Sequence, residues 1–234
     1  MNINSNKFPE NNMIPNIIHY CWFGGNPLPD DSKRYIDGWI ELNPDFEIMK
    51  WDESNFPIDF CSYSREAAKM KNWAFVSDVC RLYALSKFGG IYLDTDVELI
   101  KPLKPLLDNE TFVGYEGDWI GTAVIGAQAG TKWVDTFLEF YKHRHFINSL
   151  GKPVRTPNPT LYTRYIDPIL QIDEKPRIYS QEVFYPTIRE GDILETTTQT
   201  VSIHHYAASW KKKRSLFDRI VIIKNGLKAR YIDN

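Results

Sequence analysis

The amino-acid sequence predicts an α/β fold, in which a sheet is joined by crossover helices within a single domain. Short apolar runs alternate along the chain with segments whose apolar residues recur at helical spacing. Glycine, proline or asparagine follows most of these segments, as is typical of the turns between elements. The 234 residues, 43% of them apolar, are enough to bury one sizeable hydrophobic core.

The predicted strands are short runs of apolar residues that end at turn-forming residues. The first run, residues 14–23, is followed by two glycines, which fits a buried strand that leads into a glycine-rich loop. A later run, residues 91–93, leads without a break into an acidic segment. The segments predicted as strands are 14–23, 46–51, 91–93, 97–100, 111–115, 122–127 and 201–205.

The predicted helices carry apolar residues spaced three and four apart on one face. Residues 32–42 show this spacing and stop at an Asn-Pro pair, because a proline disfavours helix in the residue before it. Residues 74–88 make a longer helix, for which a Gly-Gly pair is the C-terminal stop. A third helix is predicted for residues 132–144, and the proline-rich residues 153–159 are predicted to be loop.

Three parts of the chain differ in character. Residues 1–13 are polar and asparagine-rich and are predicted to be an N-terminal tail, and residues 14–210 form the predicted domain. Residues 211–234 begin with four basic residues and then mix apolar with basic side chains, which is typical of a basic amphipathic segment. Two interpretations of this segment stay open: a solvated helix with one side in the core, and a surface that docks on the anionic inner membrane leaflet.

Composition excludes several classes of protein. The net charge of −2 gives no global attraction to nucleic acid. The three cysteines are widely spaced, so we expect neither a zinc knuckle nor a disulfide framework. No stretch approaches the length of a membrane span, and the polar N-terminus lacks the apolar core of a signal peptide. We therefore expect a cytoplasmic protein, with peripheral membrane contact if the basic segment docks.

Two carboxylates, Asp94 and Asp96, follow the predicted buried strand at residues 91–93. Open α/β sheets bind ligands at the carboxyl ends of their strands, and residues i and i+2 of an extended segment point to the same side. Two like charges held together need a cation or a shared proton. A hard divalent ion that also binds phosphate would meet this need. A strand-ending turn with both carboxylates in water remains the alternative from this pattern alone.

Two adjoining segments, residues 77–85 (SDVCRLYAL) and 88–96 (FGGIYLDTD), lead up to and include the acidic pair. They resemble the DXD sugar-binding region of glycosyltransferase family thirty-two. Residues 14–25 (IPNIIHYCWFGG) resemble its first segment, and residues 204–210 (HHYAASW) its last. The family includes bacterial capsule and lipopolysaccharide transferases and yeast mannosyltransferases, and it is similar to the glucosylating domains of the large clostridial toxins. The resemblance implies a GT-A fold, with a Rossmann-like mixed sheet and an acceptor site beside it.

The resemblance also implies how a nucleotide-sugar donor is held. Trp22 would stack on the base, since an indole face suits a flat heteroaromatic ring. Asp78 and Arg81, three residues apart on one helix face, would bind hydroxyls of the donor, and a simple surface ion pair is the alternative. Trp210 would donate its indole N–H to the leaving oxygen. The residues expected to bind the donor are Trp22, Ser77, Asp78, Arg81, Tyr92, Asp94, Ser209 and Trp210.

A metal site is the further implication of the resemblance. Asp96 would be the direct ligand, and Asp94 would reach the metal mostly through water. Adjacent strand residues face opposite ways, so only one of His204 and His205 should face the metal, and the family's spacing to Trp210 selects His205. An imidazole beside carboxylates suits Mn²⁺ more than Mg²⁺. The residues expected to act in catalysis, by stabilising the leaving diphosphate, are Asp94, Asp96, Arg81 and Trp210.

The resemblance thus predicts a retaining, Mn²⁺-dependent glycosyltransferase that moves a hexose or N-acetylhexosamine from a UDP-sugar. The expected acceptor is a glycan or lipid-linked glycan in capsular polysaccharide or lipopolysaccharide synthesis, and GDP-mannose is the main competing donor. Residues 115–127 resemble the family strand that lines the sugar pocket, with Thr122 where many relatives carry asparagine. A metal-dependent nucleotide-diphosphate-sugar hydrolase is the alternative, and a non-catalytic sugar-binding module is the third interpretation.

Overall fold

A computed structural model describes residues 14–189, 192–193 and 196–207. The strands of this part of the chain are β1 (Ile17–Cys21), β2 (Glu47–Trp51), β3 (Gly90–Leu93), β4 (Val97–Leu99), β5 (Thr111–Glu116), β6 (Trp119–Ala127), β7 (Arg177–Tyr179), β8 (Thr187–Arg189), β9 (Asp192–Ile193) and β10 (Ser202–His204). Its α-helices are α1 (Asp30–Leu42), α2 (Ser62–Lys69), α3 (Trp73–Phe88), α4 (Lys132–Lys142), α5 (Asn158–Leu161) and α6 (Gln181–Phe184). Shorter helical turns lie at Ile58–Phe60, Lys104–Leu106, Tyr162–Ile166, Asp167–Ile169 and Ile172–Glu174.

Six strands form a central mixed sheet in the order β2-β1-β3-β6-β5-β7. β1 pairs in parallel with β2 and β3, and β5 pairs in parallel with β7. β6 is antiparallel to both of its neighbours. α1 connects β1 to β2, and α2 and α3 connect β2 to β3, because neighbouring parallel strands need a crossover. The carboxyl ends of β1, β2 and β3 therefore meet at one edge of the sheet.

β4 leaves the central sheet directly after the acidic segment and pairs with β10 in an antiparallel ladder. His204 lies opposite Val97 in this ladder. The backbone N–H of His205 also donates to the carbonyl oxygen of Asp96, at 2.9 Å. This small sheet brings the last described residues back to the end of β3.

The hydrophobic core has two parts, one on each face of the sheet. α3 and α4 cover one face, and their fully buried side chains include Val76, Val79, Leu82, Trp133 and Phe137. The other face is covered by α1 and the segments around β4, with buried side chains that include Ile36, Trp39, Leu103 and Phe184. Complete burial of one such side chain stabilises the fold by about 1.5–3 kcal/mol. The sheet that carries the acidic pair is thus held firmly from both sides.

His19, in the middle of β1, is fully buried and joins three elements. Its Nε2–H donates to the carbonyl oxygen of Gly89 at 2.7 Å, and its Nδ1 accepts from the indole N–H of Trp51 at 3.1 Å. This pair of partners requires the neutral ring, and burial lowers the pKa of His19 to about 4. The neutral imidazole therefore fixes the turn between α3 and β3 relative to β1 and β2.

The predicted α/β fold is confirmed, and each predicted strand and helix in the described residues has a counterpart, with ends that differ by a few residues. α2, α5, α6, β7, β8 and β9 were not predicted, because each is short and has too few apolar positions to set a clear period. α5 begins at Asn158, so the predicted loop at residues 153–159 is wrong at its last two residues. The predicted tail at residues 1–13, Ser209, Trp210 and residues 211–234 lie outside the described residues. Among the described helices, none has the length and apolar character needed to cross a membrane.

Candidate active site

The acidic pair lies in a tight turn after β3. The backbone N–H of Asp94 donates to the carbonyl oxygen of Ala123 in β6 at 2.9 Å, so the antiparallel pairing with β6 fixes the first carboxylate. The carbonyl oxygen of Asp94 accepts from the N–H of Val97 at 3.0 Å, which closes the turn and directs the chain into β4. Both carboxylates are partly buried at the carboxyl edge of the sheet.

Arg81 is a buried cation beneath this turn, with only 5% of its surface exposed. One terminal nitrogen lies 2.9 Å from a carboxylate oxygen of Asp78 and 3.3 Å from one of Asp94. The other donates to the carbonyl oxygen of Thr122 at 2.6 Å. Its guanidinium also lies over the ring of Tyr92, whose hydroxyl donates to Asp94 at 2.7 Å. Charged residues are buried only when paired, so this network has the composition of a functional site rather than a surface ion pair.

Thr122 contacts this network through its backbone. Because its carbonyl oxygen is the acceptor for Arg81, the side chain at this position does not determine the bond. The hydrogen bond from Arg81 can therefore form whichever side chain stands at this position of β6, threonine included.

Asp78 is nearly as buried as its partner, at 8% exposure. Burial raises the pKa of Asp78 to about 7; the adjacent Arg81 lowers it and the charge of Asp94 raises it further. The backbone carbonyl of Asp78 accepts from the side-chain amide of the buried Asn158, at 3.3 Å. Ser77, one residue earlier on α3, is part-buried and donates to the carbonyl oxygen of Trp73 at 3.1 Å.

Asp94, Asp96 and His204 form a group that could hold a metal ion. Each offers one ligand atom, and these atoms all lie within 4.8 Å of one another. His204 Nε2 is 3.4 Å from Asp96, whereas its buried Nδ1 has no hydrogen-bond partner among the described residues. Two carboxylate oxygens and an imidazole nitrogen make a donor set that fits Mn²⁺. The donor set therefore fits a divalent ion at this place.

The structure differs from the sequence prediction in the choice of histidine. His205 points away from the acidic pair: its ring stacks on Tyr35 with centroids 4.8 Å apart, and its Nε2 is 2.8 Å from Glu98. His204 takes the place beside Asp96 that was predicted for His205. The alternation of side chains along the strand was predicted correctly, but the antiparallel register with β4 places the first histidine, not the second, on the side of the acidic pair.

Tyr206 turns the chain after β10. Its φ of 51° lies in the left-handed region, which a non-glycine residue rarely adopts. This turn allows the next backbone N–H, that of Ala207, to donate to Asp96 at 2.9 Å. Burial alone raises the pKa of Asp96, but the hydrogen bonds from His204 and Ala207 outweigh it and hold the pKa below its ordinary value. Asp96 therefore stays ionised, as a carboxylate that binds a cation must be.

Glu116, at the end of β5, is a fourth acidic residue of the site, after Asp78, Asp94 and Asp96, and the prediction did not single it out. Its carboxyl lies beside the Tyr206 hydroxyl and within the electrostatic reach of Asp94, Asp96 and His204. Burial raises its pKa, and the negative charges of the two aspartates act in the same direction while His204 opposes them. The resemblance of residues 115–127 to a pocket-lining strand was the one sequence signal for it.

The loop after β1 carries Trp22, the residue predicted to stack on the base. Its indole N–H donates to the carbonyl oxygen of Asn26 at 2.6 Å, and the ring is part-exposed. In the same loop, Gly24 has a φ of +94°, and a Cβ there would come within 2.4 Å of the Trp73 indole at the start of α3. The structure thus places Trp22 and Trp73 around one loop beside the carboxyl end of β1, and Trp73 was not predicted.

The structure therefore brings together Ser77, Asp78, Arg81, Tyr92, Asp94 and Asp96 at the end of β3. Trp22 lies on the neighbouring strand β1, and His204 replaces His205 beside the acidic pair. Ser209 and Trp210 lie outside the described residues, so their predicted contact with a diphosphate stays a prediction.

The part of the chain that carries this site is similar in sequence to known proteins. Residues 29–113 match the family model described as a glycosyltransferase sugar-binding region containing the DXD motif. Inositol phosphoceramide mannosyltransferase 3 of Schizosaccharomyces pombe is 34% identical over 108 residues, 43% of this chain and 29% of the relative. An uncharacterized glycosyltransferase of Acanthamoeba polyphaga mimivirus is 33% identical over 104 residues, 41% of this chain and 40% of the relative. The chain thus spans less than half the length of these two relatives.

Among solved structures, a glycosyltransferase involved in the glycosylation of the major capsid of PBCV-1 is 11% identical to this chain. The match covers 82% of this chain and 94% of that chain, with a TM-score of 0.48. The predicted mixed sheet is confirmed by the strand order, and its strand β3 ends at the acidic pair. The matched region contains Arg81, Asp94 and Asp96, so this part of the chain is similar to the DXD-containing sugar-binding region of glycosyltransferases.

Proposed function

We propose that the chain is a metal-dependent glycosyltransferase that moves a sugar from a nucleotide-sugar donor to a glycan acceptor with retention of anomeric configuration. One observation carries the proposal: Asp94, Asp96 and His204 converge at the carboxyl end of β3, directly above the buried cation Arg81. Closely spaced carboxylates are costly to bury without a cation, and a metal bound there would also attract the diphosphate of a donor.

Different residues around the acidic pair are proposed to bind different parts of the donor. Arg81 and Asp78, which pair with each other, are proposed to bind the sugar and ribose hydroxyls. Asp94, which also pairs with Arg81, is proposed to lie between them and the metal. A bound Mn²⁺, held by Asp96, Asp94 and His204, would supply positive charge to the leaving diphosphate. Arg81 adds a fixed positive charge in a site from which water is largely excluded, where it stabilises developing negative charge most strongly.

Transfer needs no protein nucleophile in this proposal. A bond forms between the acceptor hydroxyl oxygen and the anomeric carbon, and the bond between that carbon and the phosphate oxygen breaks. The electron pair leaves with the nucleoside diphosphate, whose phosphate oxygen receives the proton of the acceptor hydroxyl. Ser209 and Trp210 are proposed to donate hydrogen bonds to the same diphosphate.

Two donor classes are in competition. A UDP-linked hexose or N-acetylhexosamine is the donor we propose first, with a polysaccharide or lipopolysaccharide-type glycan as acceptor. The relative from Schizosaccharomyces pombe is named as a mannosyltransferase, which favours GDP-mannose as the second donor. Both donors present the same diphosphate to Asp96, so the metal site by itself does not discriminate between them.

A thermal-shift panel of UDP- and GDP-sugars, each with and without Mn²⁺, tests the proposal. A ligand that binds only the folded state raises the unfolding temperature according to its affinity. We expect a Mn²⁺-dependent rise with one nucleotide sugar, lost in Asp96→Ala. Glu98→Ala is the matched control, because Glu98 is an exposed carboxylate two residues away that pairs with His205. A well-folded protein that shows no rise with any of these compounds contradicts the donor site.

A metal-dependent hydrolase of nucleotide-diphosphate sugars is the second candidate function. Asp96 is only partly buried, with 18% of its side chain accessible, and this favours the hydrolase in one respect, since water can reach the metal position. The two functions differ in their product. Release of free sugar at an unchanged rate when candidate glycans are added supports the hydrolase, whereas a sugar found on a glycan supports the transferase.

A further inference from the structure

The hairpin of β5 and β6 carries an exposed aromatic side chain beside the active site. Glu116 and Trp119 are direct partners in the antiparallel register, on either side of a two-residue turn. The first turn residue, Gly117, has a φ of +61°, as a type II′ hairpin turn requires. Side chains that lie directly opposite in such a ladder stand on the same face of the hairpin, about 4.5–5.5 Å apart at Cβ. Trp119 is therefore on the face that Glu116 presents to Asp94, Asp96 and His204.

Trp119 is 36% exposed at this position, and a basic side chain lies over its ring. The guanidinium of Arg164 lies over its ring, 5.5 Å from the centroid. Arg164 is exposed and forms no ion pair with a carboxylate among the residues that the structure describes. A partly open indole and a cation over its ring, with unused N–H donors, thus lie together at the rim of the site.

The position of Arg164 is fixed by the fold. It lies in the π-helical turn Tyr162–Ile166, whose first and last side chains are fully buried. Thr163, next to it, accepts a hydrogen bond from the backbone N–H of Ile120 in β6 at 3.2 Å. π-Helical turns often lie at functional sites, because they present a side chain that a regular helix would not. The turn therefore holds the backbone of Arg164 beside the hairpin.

The strand order separates this rim from the side where the donor's base is proposed to bind. β3, with the acidic pair, lies between β1 on one side and β6 with β5 on the other. Trp22 and Trp73 stand on the β1 side, so a donor that reaches from them to Asp96 leaves the hairpin side free. A second substrate must enter from there to attack the anomeric carbon.

We propose that Trp119 and Arg164 form an acceptor subsite. A pyranose ring of the acceptor stacks its C–H face on the part of the indole that the guanidinium leaves open, while its hydroxyl groups accept hydrogen bonds from the guanidinium. A pyranose combines one apolar face with a rim of hydroxyl groups, which matches a flat aromatic surface next to a rich donor. This inference rests on the proposed function, because it takes the acidic pair as the place where the donor's anomeric carbon lies.

Saturation-transfer NMR with methyl β-D-galactopyranoside and methyl α-D-mannopyranoside as probes tests the subsite on the whole chain. We expect saturation of the ring C–H protons in the wild type, reduced at least fivefold in Trp119→Ala and Arg164→Ala and largely kept in Trp119→Phe. Mannitol, which has the hydroxyl groups but no ring, should receive little saturation. Tyr115→Ala is the matched control, because Tyr115 is an exposed aromatic residue of the same hairpin that points to its other face.

The outcomes separate this subsite from the donor site. Equal losses in Tyr115→Ala and Trp119→Ala, or no saturation of either pyranoside in the wild type, overturn the acceptor subsite. The Mn²⁺-dependent thermal shift with nucleotide sugars is measured on the same variants and should stay unchanged in Trp119→Ala. If that shift is absent even in the wild type while the Trp119-dependent saturation is present, the proposed function fails and the sugar-binding surface stands.

Discussion

Each of two residues in the site has several hydrogen-bond or ion-pair partners, so a single substitution removes several contacts at once. Arg81 binds two carboxylates and two backbone carbonyls at once, through the fixed fork of the guanidinium. A lysine carries the same charge but cannot reach these acceptors together. Asp96 is similar: it accepts from Ala207 and lies beside His204, so its position depends on residues far away in the sequence.

The first prediction concerns the third metal ligand. His204→Ala should weaken Mn²⁺ binding by about tenfold or more, because it removes a nitrogen ligand next to Asp96. His205→Ala should bind Mn²⁺ within about twofold of the wild type, since its ring faces Tyr35 and Glu98. Titration of free Mn²⁺ by electron paramagnetic resonance measures both. Loss of binding in His205→Ala with full binding in His204→Ala would mean that His205, as predicted from the sequence, is the metal ligand.

At the scale of elements, the site depends on how α3 turns into β3. Gly89 and Gly90 both have positive φ, of 63° and 105°, and a Cβ on Gly90 would lie 2.7 Å from the carbonyl oxygen of Ile17 in β1. The turn therefore strongly favours glycine at both positions. It sets the start of β3, and through β3 the position of Asp94.

The second prediction tests this turn. Gly90→Ala should lower the free energy of unfolding by about 1–3 kcal/mol, because the backbone conformation is strained for alanine and the neighbouring strand leaves no room. Gly38→Ala is the control: Gly38 lies in α1 with open space around it, and alanine there should raise stability by about 0.5–1 kcal/mol. Urea denaturation measures both variants. Equal stability of the two would show that the turn has room to adjust.

The third prediction concerns the neutral His19 that links β1, β2 and the α3–β3 turn. Its pKa is about 4 in the folded protein and about 6.5 when unfolded, so below pH 6.5 the unfolded chain binds a proton that the folded protein does not. Stability contributed by the neutral ring is complete above pH 6.5 and is lost as the pH falls toward 4. At pH 5 the loss is about 2 kcal/mol relative to pH 7.

His19→Gln provides the comparison, because glutamine can donate and accept but does not titrate. Urea denaturation at pH 7 and pH 5 should show a loss in the wild type that exceeds the loss in His19→Gln by this amount. Other titrating groups, such as Glu116, contribute equally to both proteins. Equal losses would mean that His19 is not held neutral.

The elements that the sequence predicted well are those with long local patterns. α3 and the acidic turn after β3 follow from apolar spacing, paired glycines and two carboxylates close together in the chain. The choice of His204 over His205 could not follow from sequence, because it depends on the register between β10 and β4. Glu116 was not singled out for a similar reason, since strand pairing and not chain neighbourhood brings it to the site.

At the scale of the whole molecule, the sheet gives the site two sides. The order β1-β3-β6-β5 places the loop of Trp22 on one side of the acidic pair and the hairpin of Trp119 on the other. The two cores pack α3 and α4 against one face of this sheet and α1 against the other. Donor and acceptor are therefore proposed to approach from opposite sides of a rigid centre.

The fourth prediction concerns residues 211–234, which lie outside the described residues. If this basic segment docks on an anionic leaflet, the full chain should sediment with liposomes that contain phosphatidylglycerol at low salt and be released at high salt. Deletion of residues 211–234, or glutamine at all four positions 211–214, should abolish sedimentation and leave the Mn²⁺-dependent thermal shift unchanged. Sedimentation that survives both changes would end the membrane interpretation.

The pairing of β10 with β4 has a consequence for synthesis on the ribosome. Asp96 receives its hydrogen bond from Ala207, which is made 111 residues later. A nascent chain that has emerged only as far as β6 already carries Arg81 and both aspartates, yet it lacks the strand that completes their surroundings. Contacts this distant in sequence form late in folding. We expect the nascent protein to stay inert toward cellular nucleotide sugars until translation of this region is almost complete.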